Sequence, residues 1–428
     1  MSTHSKNLFE LENCLSTDDP ANLIRCLKKA INTKTEIRED LIKFPQLSFY
    51  IPQKVQNLDS EKTILVLIHE LSRTGAPVVA IDAAKALSEA GYFIVVMTMR
   101  RGPLLKELLN LGIPVIFNRE LSLTQESKEL LGVKVFPLTV DTFFRAFDKI
   151  FIVTAVFYNL IHRYKNDSVP IIWWLHEGTA TYSNNNLSQK MPKQLCPSIQ
   201  VYVGGKYALD QLKKFNLPYH AEILNYGVLD KKLPNTDKTP SEKVRFILPG
   251  SIGLRKGQTI LLEAIKNLPP EYQSQSEFTF IGDIVSEADT LGKTIKDELI
   301  NATRIYPNIR YITSVTRDEL FDIYQNIDVI VLPSLDDPMP VVATEMLMMS
   351  KVVLCSNTTG TSYYLQDGKN GFVFQSEDAD ELHKKLMYII DHKNRLTKIG
   401  ENGRKVFEQN FSMPIFEKKL LTIVKEAK

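Results

Sequence analysis

Short apolar runs alternate along the chain with longer stretches in which apolar positions recur every three to four residues. The runs at 63–68, 93–97, 113–117, 150–154, 171–175 and 199–203 are too short for helices and end in polar or turn residues, the pattern of buried parallel strands. A second series at 244–248, 278–281, 309–313, 329–332 and 352–356 repeats it. Helix-length segments lie between, among them one opened by Pro77 in its first turn and one from Val341 to about Ser350. Strands alternating with helices predict an α/β chain built on doubly wound parallel sheets. The segment 230–242, rich in Lys, Asp, Thr and Pro, separates the two series as a linker. Residues 1–61 differ. Leu8, Leu11 and Leu15, then Leu23, Ile24, Leu27 and Ile31, predict two short amphipathic helices broken at Asp18-Asp19-Pro20, with 40–53 more extended.

Candidate chemistry gathers where the strands end, because ligands of open α/β sheets bind outside the carboxyl ends. After the run 329–332 come Asp336, Asp337, Pro-Met-Pro and a helix that carries Glu345. A carboxylate takes a bidentate pair of hydrogen bonds from adjacent hydroxyls, so Asp337 and Glu345 could grip two diols of one ligand. The helix start between them offers N–H groups to an anion. Pro338 and Pro340 have no N–H, which leaves Met339, Val341 and Val342 as donors. Diol, phosphate, diol is the outline of a nucleotide sugar. The alternative is that Asp336 or Asp337 caps the helix and Glu345 is solvated. Elsewhere, Gly75 sits at a strand-to-helix turn where backbone could approach a ligand. His176 ends the strand 171–175, where a neutral imidazole can hydrogen-bond a sugar hydroxyl; His69 ends another. Pro249 to Gly257 is a Gly-containing loop feeding a helix, with Arg255 and Lys256 at its end. Those cations could neutralise a diphosphate or simply be solvated.

The stretch from Pro333 to Glu345 resembles the donor-site signature of family 4 retaining glycosyltransferases of the GT-B fold: Pro-Ser, an acidic residue, a short insert, and Glu eight positions on. Asp367-Gly368-Lys369-Asn370-Gly371 matches a later family segment, and Asn225-Tyr226-Gly227-Val228 the turn leading out of the first domain. The resemblance implies two Rossmann-like domains facing across a cleft, with boundaries at 62–235 and 236–410, a helix at 411–428 crossing back to the first domain, and a helical extension at 1–61. It assigns Glu345 to the nucleotide ribose, Asp337 and His176 to the transferred sugar, Gly75 to the donor phosphate side, and Lys256 to the diphosphate. Three departures stand out: Asp337 replaces the family's Glu, Pro338-Met339-Pro340 replaces Gly-aromatic-Gly, and Ser251 stands where the family has Arg, with Arg255 nearby to compensate.

The implied reaction moves a sugar from a nucleotide-diphosphate donor to a glycan, lipid-linked or protein acceptor, as in bacterial surface polysaccharide or glycoconjugate synthesis. The family needs no cofactor and no bound metal. A nucleotide-sugar epimerase and a non-catalytic GT-B subunit that binds a glycan or a glycosyltransferase partner are the rival readings. Retention of Lys256, Glu345 and His176 argues against a dead site.

With 428 residues, 44 % of them hydrophobic, the chain can fill two or three domains. A net charge of +2 makes no case for nucleic acid. The four cysteines, Cys14, Cys26, Cys196 and Cys355, lack paired metal spacing. No apolar run approaches the roughly 18 residues of a membrane span, and the N-terminus lacks a signal-peptide core. The expectation is a cytoplasmic enzyme, with room for peripheral association at the inner membrane face and for a protein partner on residues 1–61.

Overall fold

The computed structural model describes residues 25, 28, 47–118, 144–164, 169–231, 242–286 and 288–427. The two amphipathic helices expected before residue 40, and most of the linker with the boundary set at 235, lie outside the described residues.

The first group of strands is β1 (Leu47–Tyr50), β2 (Thr63–Glu70), β3 (Phe93–Arg100), β4 (Val115–Asn118), β5 (Lys149–Val153), β6 (Ile171–Leu175), β7 (Ile199–Val203) and β8 (Ala221–Ile223). They form one sheet in the order β1-β4-β3-β2-β5-β6-β7-β8. All neighbours are parallel except β1, which runs antiparallel to β4. The second group is β9 (Val244–Pro249), β10 (Ser276–Ile281), β11 (Ile309–Ile312), β12 (Val329–Leu332), β13 (Val352–Ser356) and β14 (Phe372–Phe374). These form an all-parallel sheet, β11-β10-β9-β12-β13-β14. The chain is thus two Rossmann-like α/β units.

Successive side chains of a buried strand point to opposite faces of the sheet, which explains the layers. In β2, Ile64, Val66 and Ile68 pack with Val79, Ala80 and Ala83 of the helix Gly75–Glu89, while Leu65 and Leu67 pack on the opposite face with Trp173. Fully burying one such aliphatic side chain is worth about 1.5–3 kcal/mol, and β2 buries every residue from Thr63 to Ile68. The run expected at 113–117 starts late, at Val115. Pro114 has no N–H to give to the ladder, and only its carbonyl takes part, accepting from Val96 N at 3.0 Å.

One segment crosses an expected boundary. The extended piece of the N-terminal segment contains β1, so the first sheet begins before residue 62. The last helix, Met413–Glu426, lies against the first unit: Phe416 stacks on Trp174 with ring centroids 5.8 Å apart, and Val228 N donates to Phe411 O at 2.8 Å. Among the described residues no helix is long and apolar enough to cross a membrane.

A chain beginning at Asp59 would lose β1 and the bonds from the Asn57 side chain to the carbonyls of Ser88 and Tyr92. A loss of 1 kcal/mol shifts the midpoint of a domain of this size by about 2–4 °C, so calorimetry should record a lower melting temperature. An unchanged midpoint would show that β1 adds nothing to the sheet.

Candidate active site

Strand order reverses between β2 and β5 in one sheet and between β9 and β12 in the other, and the crevice at such a reversal is where these sheets bind ligands. The two carboxyl edges face each other. Tyr226 OH lies 2.8 Å from Thr344 Oγ1, and Tyr364 OH donates to Asn225 Oδ1 at 2.9 Å.

On the second unit, the loop after β9 turns at Gly257 with φ +70°, and a Cβ there would fall 1.9 Å from the Pro333 carbonyl oxygen. Only glycine allows both the left-handed backbone and this approach. The turn sets Lys256 beside the loop after β12: its Nζ donates to Asp337 Oδ2 at 2.6 Å. Arg255 Nη1 stands 3.7 Å from the same oxygen and donates to the Asp336 carbonyl at 2.8 Å. Lys256 and Asp337, read from sequence as separate contacts to phosphate and sugar, are one ion pair here. Ser251 is half-buried, and its carbonyl accepts from Gln258 Nε2 at 2.9 Å.

The helix expected after the Pro-Met-Pro is Val341–Met348. Its N-cap is Pro340 with no side-chain cap, so neither Asp336 nor Asp337 caps it. Val341 and Val342 occupy the first turn, where N–H groups have no intrahelical acceptor; they and Met339 are half-buried. Glu345 is only 2 % exposed, which rules out the solvated alternative. Its carboxylate pairs with the Arg317 guanidinium. Burial pushes the Glu345 carboxyl up, and Arg317 and then Lys231 pull it back. Arg317 is held at the first position of the helix Arg317–Gln325 by a capping box between Thr316 and Glu319. Its charge also reaches the first unit, where it opposes the burial that raises Asp82 on the helix Gly75–Glu89 to about 6.

On the first unit, His176 follows β6 with its ring edge-on to Trp174 at 4.2 Å. Its Nε2 is shielded and has no hydrogen-bond partner, and burial lowers its pKa to about 3. The imidazole is therefore neutral at ordinary pH. Glu177 ties two loops together, accepting from Ala155 N at 2.6 Å and His176 N at 2.8 Å. Burial drives its carboxyl up to about 7 against the pull of those N–H groups. Between the two loops, Thr154 has φ +83°, a strained backbone for a β-branched residue; Trp173 Nε1 donates to its carbonyl at 2.9 Å. His69 also ends a strand, with its Nδ1 buried and unpartnered. Gly75 is exposed on the first turn of its helix, and a side chain there would meet no atom within 4 Å.

Lys256, Arg255, Asp337 and the start of the helix Val341–Met348 thus come together on the second unit, while His176 follows β6 at the carboxyl edge of the first. Glu345 sits one helical turn further in. Glu177 and Arg317 were not among the residues picked from sequence. The capping pattern around Arg317 was legible, but not the partner it reaches.

The arrangement agrees with two family models. Residues 230–406 match Glycosyl transferases group 1, and residues 60–196 match Glycosyl-transferase family 4. The chain belongs to this glycosyltransferase family. An uncharacterized glycosyltransferase of Methanocaldococcus jannaschii is 26 % identical over 250 residues, covering 57 % of this chain and 65 % of that one. The lipopolysaccharide core biosynthesis glycosyltransferase LpsE of Rhizobium meliloti is 24 % identical over 174 residues, covering 41 % of this chain and 47 % of that one. The chain therefore spans less than two thirds of these relatives' lengths. Among solved structures, HepE of Anabaena in complex with UDP-glucose superposes with a TM-score of 0.67 at 16 % identity, covering 85 % of this chain and 99 % of that one. The sucrose-phosphate synthase of Thermosynechococcus elongatus gives 0.68 at 15 % identity, covering 86 % and 99 %. These likenesses place the chain in the GT-B fold.

Two outcomes follow from the geometry. Removing one member of a buried ion pair costs more than removing both, up to about 3–5 kcal/mol where burial is complete. Urea unfolding of Lys256→Ala, Asp337→Ala and the double variant should therefore show the double variant more stable than the sum of the single losses allows. Strict additivity would mean the pair is not formed in solution. The second outcome concerns pH. Between about 6.5 and about 3 the unfolded chain takes a proton on residue 176 that the folded chain refuses, so stability falls as pH drops through that window. His176→Asn should lack this component, and the stability difference between wild type and variant should shift against the wild type on acidification. A pH-independent difference would contradict the buried neutral imidazole.

Proposed function

We propose that the protein transfers a sugar from a nucleoside diphosphate donor to an acceptor hydroxyl presented by the first unit, with retention of anomeric configuration. The observation that carries this reading is the single loop-and-helix segment on which Asp337, the helix start at Val341 and the buried Glu345 follow one another, with Lys256 brought alongside. Glu345 would take the ribose hydroxyls and the N–H groups of Val341 and Val342 the diphosphate. Lys256 would stabilise charge on the leaving phosphate. Asp337 and the neutral imidazole of His176 would hold hydroxyls of the sugar. The acceptor oxygen bonds to the anomeric carbon as the bond from that carbon to the phosphate oxygen breaks, and the acceptor proton passes to the departing diphosphate. On this reading the charge stabilisation comes from Lys256 and the helix N-terminus, without a metal ion.

The fold neighbours support a nucleotide-sugar donor: HepE was solved with UDP, with UDP and glucose, and with UDP-glucose. Relatives named for lipopolysaccharide core and capsular polysaccharide biosynthesis support a glycan or glycolipid acceptor.

A screen of UDP-, GDP- and ADP-sugars for donor hydrolysis and transfer tests the reading, with one donor turned over well above the rest as the expected outcome. Lys256→Ala should then lower turnover of that donor by about 10²–10³, the usual loss for one such electrostatic donor. Glu345→Gln should weaken free nucleotide and intact donor alike, by about 10-fold or more, since a hydrogen bond to a charged group is worth roughly 1.5–3 kcal/mol. Turnover of no donor, or unchanged nucleotide affinity in Glu345→Gln, would overturn the assignment.

A further inference from the structure

Asp336 stands beside the site residue Asp337 and is 7 % exposed. Its side chain leaves the second unit and enters the first. Oδ1 accepts from Thr179 N at 3.1 Å and from Tyr207 OH at 2.6 Å, and Oδ2 accepts from Ala180 N at 2.7 Å. Thr179 and Ala180 open the short helix Thr179–Ser183, whose N-cap, Gly178, supplies no side-chain cap. The capping carboxylate therefore comes from the other unit. A Cβ on Gly178 would fall 2.2 Å from Asp336 Oδ1, so only glycine admits the side chain. Burial, and then the bond to Asp336, raise Tyr207 above the ordinary range for a phenol, so its hydroxyl stays a donor. The receiving face is braced on both sides. Thr179 Oγ1 donates to Gln211 Oε1 at 2.6 Å, and Arg255 holds the Asp336 carbonyl at 2.8 Å.

The covalent neighbours make this contact more than a domain seam. Asp337, one residue on, is the partner of Lys256. His176 lies two residues before Gly178, at most about 7 Å of extended chain. The clamp thus fixes the loop carrying His176 against the loop carrying Asp337, the two walls of the cleft. We infer that Asp336 is a positioning residue that locks the two units together and holds His176 in register with the Asp337–Lys256 pair for transfer. This rests on the proposed function only for the last step; the lock itself does not.

The test compares Asp336→Ala, Tyr207→Phe and Asp336→Asn with the wild-type chain by three readouts: radius of gyration from small-angle scattering, UDP affinity from calorimetry, and kcat and KM for the best donor. A hydrogen bond to a charged group is worth enough to change a rate by about 10–100-fold. Asp336→Ala should enlarge the radius of gyration and lower kcat by about that factor, with UDP affinity changed less than about twofold because the ribose and phosphate contacts are intact. Tyr207→Phe removes one of three bonds and no volume, so it should fold as wild type and show a smaller change in the same direction. Asp336→Asn keeps the shape but turns one acceptor into a donor, and should resemble Asp336→Ala. An unchanged radius of gyration in all three variants, or a loss of UDP affinity matching the loss of kcat, would overturn the inference. Should the wild-type chain turn over no donor, the proposed function falls, and the scattering result alone decides the lock.

Discussion

Three carboxylates, Asp336, Asp337 and Glu345, lie buried within one loop and the helix that follows it. A buried charge costs several kcal/mol unless a partner satisfies it. That requirement organises the molecule around the cleft, because each partner comes from a different place. Asp336 draws on the first unit, through the N–H groups of Thr179 and Ala180 and the Tyr207 hydroxyl. Asp337 draws on the loop after β9, through Lys256. Glu345 draws on the helix after β11, through Arg317. A loop of a few residues therefore pins together two domains, two strand ends and a neighbouring helix.

Two of these pairs bear directly on the proposed chemistry. A diphosphate at the start of the helix Val341–Met348 would share Lys256 with Asp337, and ribose hydroxyls at Glu345 would compete with Arg317. Binding would then exchange ion pairs already in place for new ones, so no buried charge need be exposed unpaired. The Asp336 contacts do not involve groups that a donor would use, which is why the lock between the units can persist while the other two pairs are exchanged. Glu177 does comparable work on the first unit, tying the backbone of His176 to the loop that begins at the strained Thr154.

The architecture was legible in the sequence because short continuous apolar runs and helix-period segments are local signals. The strands β2, β6, β12 and β13 fall where their apolar runs predict, and β4 starts late for the simple reason that Pro114 cannot pair. The candidate site residues were legible only as types at strand ends. Eight-residue spacing placed Asp337 and Glu345 on one loop and helix, but burial and pairing depend on residues distant in the chain: Lys256 is 81 positions from Asp337, and Tyr207 is 129 from Asp336. Asp336 entered only in the alternative reading, where it or Asp337 would cap the helix that follows. It does cap a helix, though in the opposite unit, and no pattern around residue 336 could name that partner. Likewise β1 is a four-residue edge strand whose identity comes from pairing with β4, not from its own sequence.

The central claim is that a nucleoside diphosphate occupies the cleft by replacing the partners of Lys256 and Glu345. A crystal structure of the full chain with UDP bound tests it most directly. The account predicts the diphosphate on the N–H groups of Val341 and Val342 and on Lys256 Nζ, with the ribose hydroxyls on Glu345 and the Arg317 side chain moved aside. A nucleotide bound elsewhere, with the Lys256–Asp337 and Arg317–Glu345 pairs both intact, would contradict it.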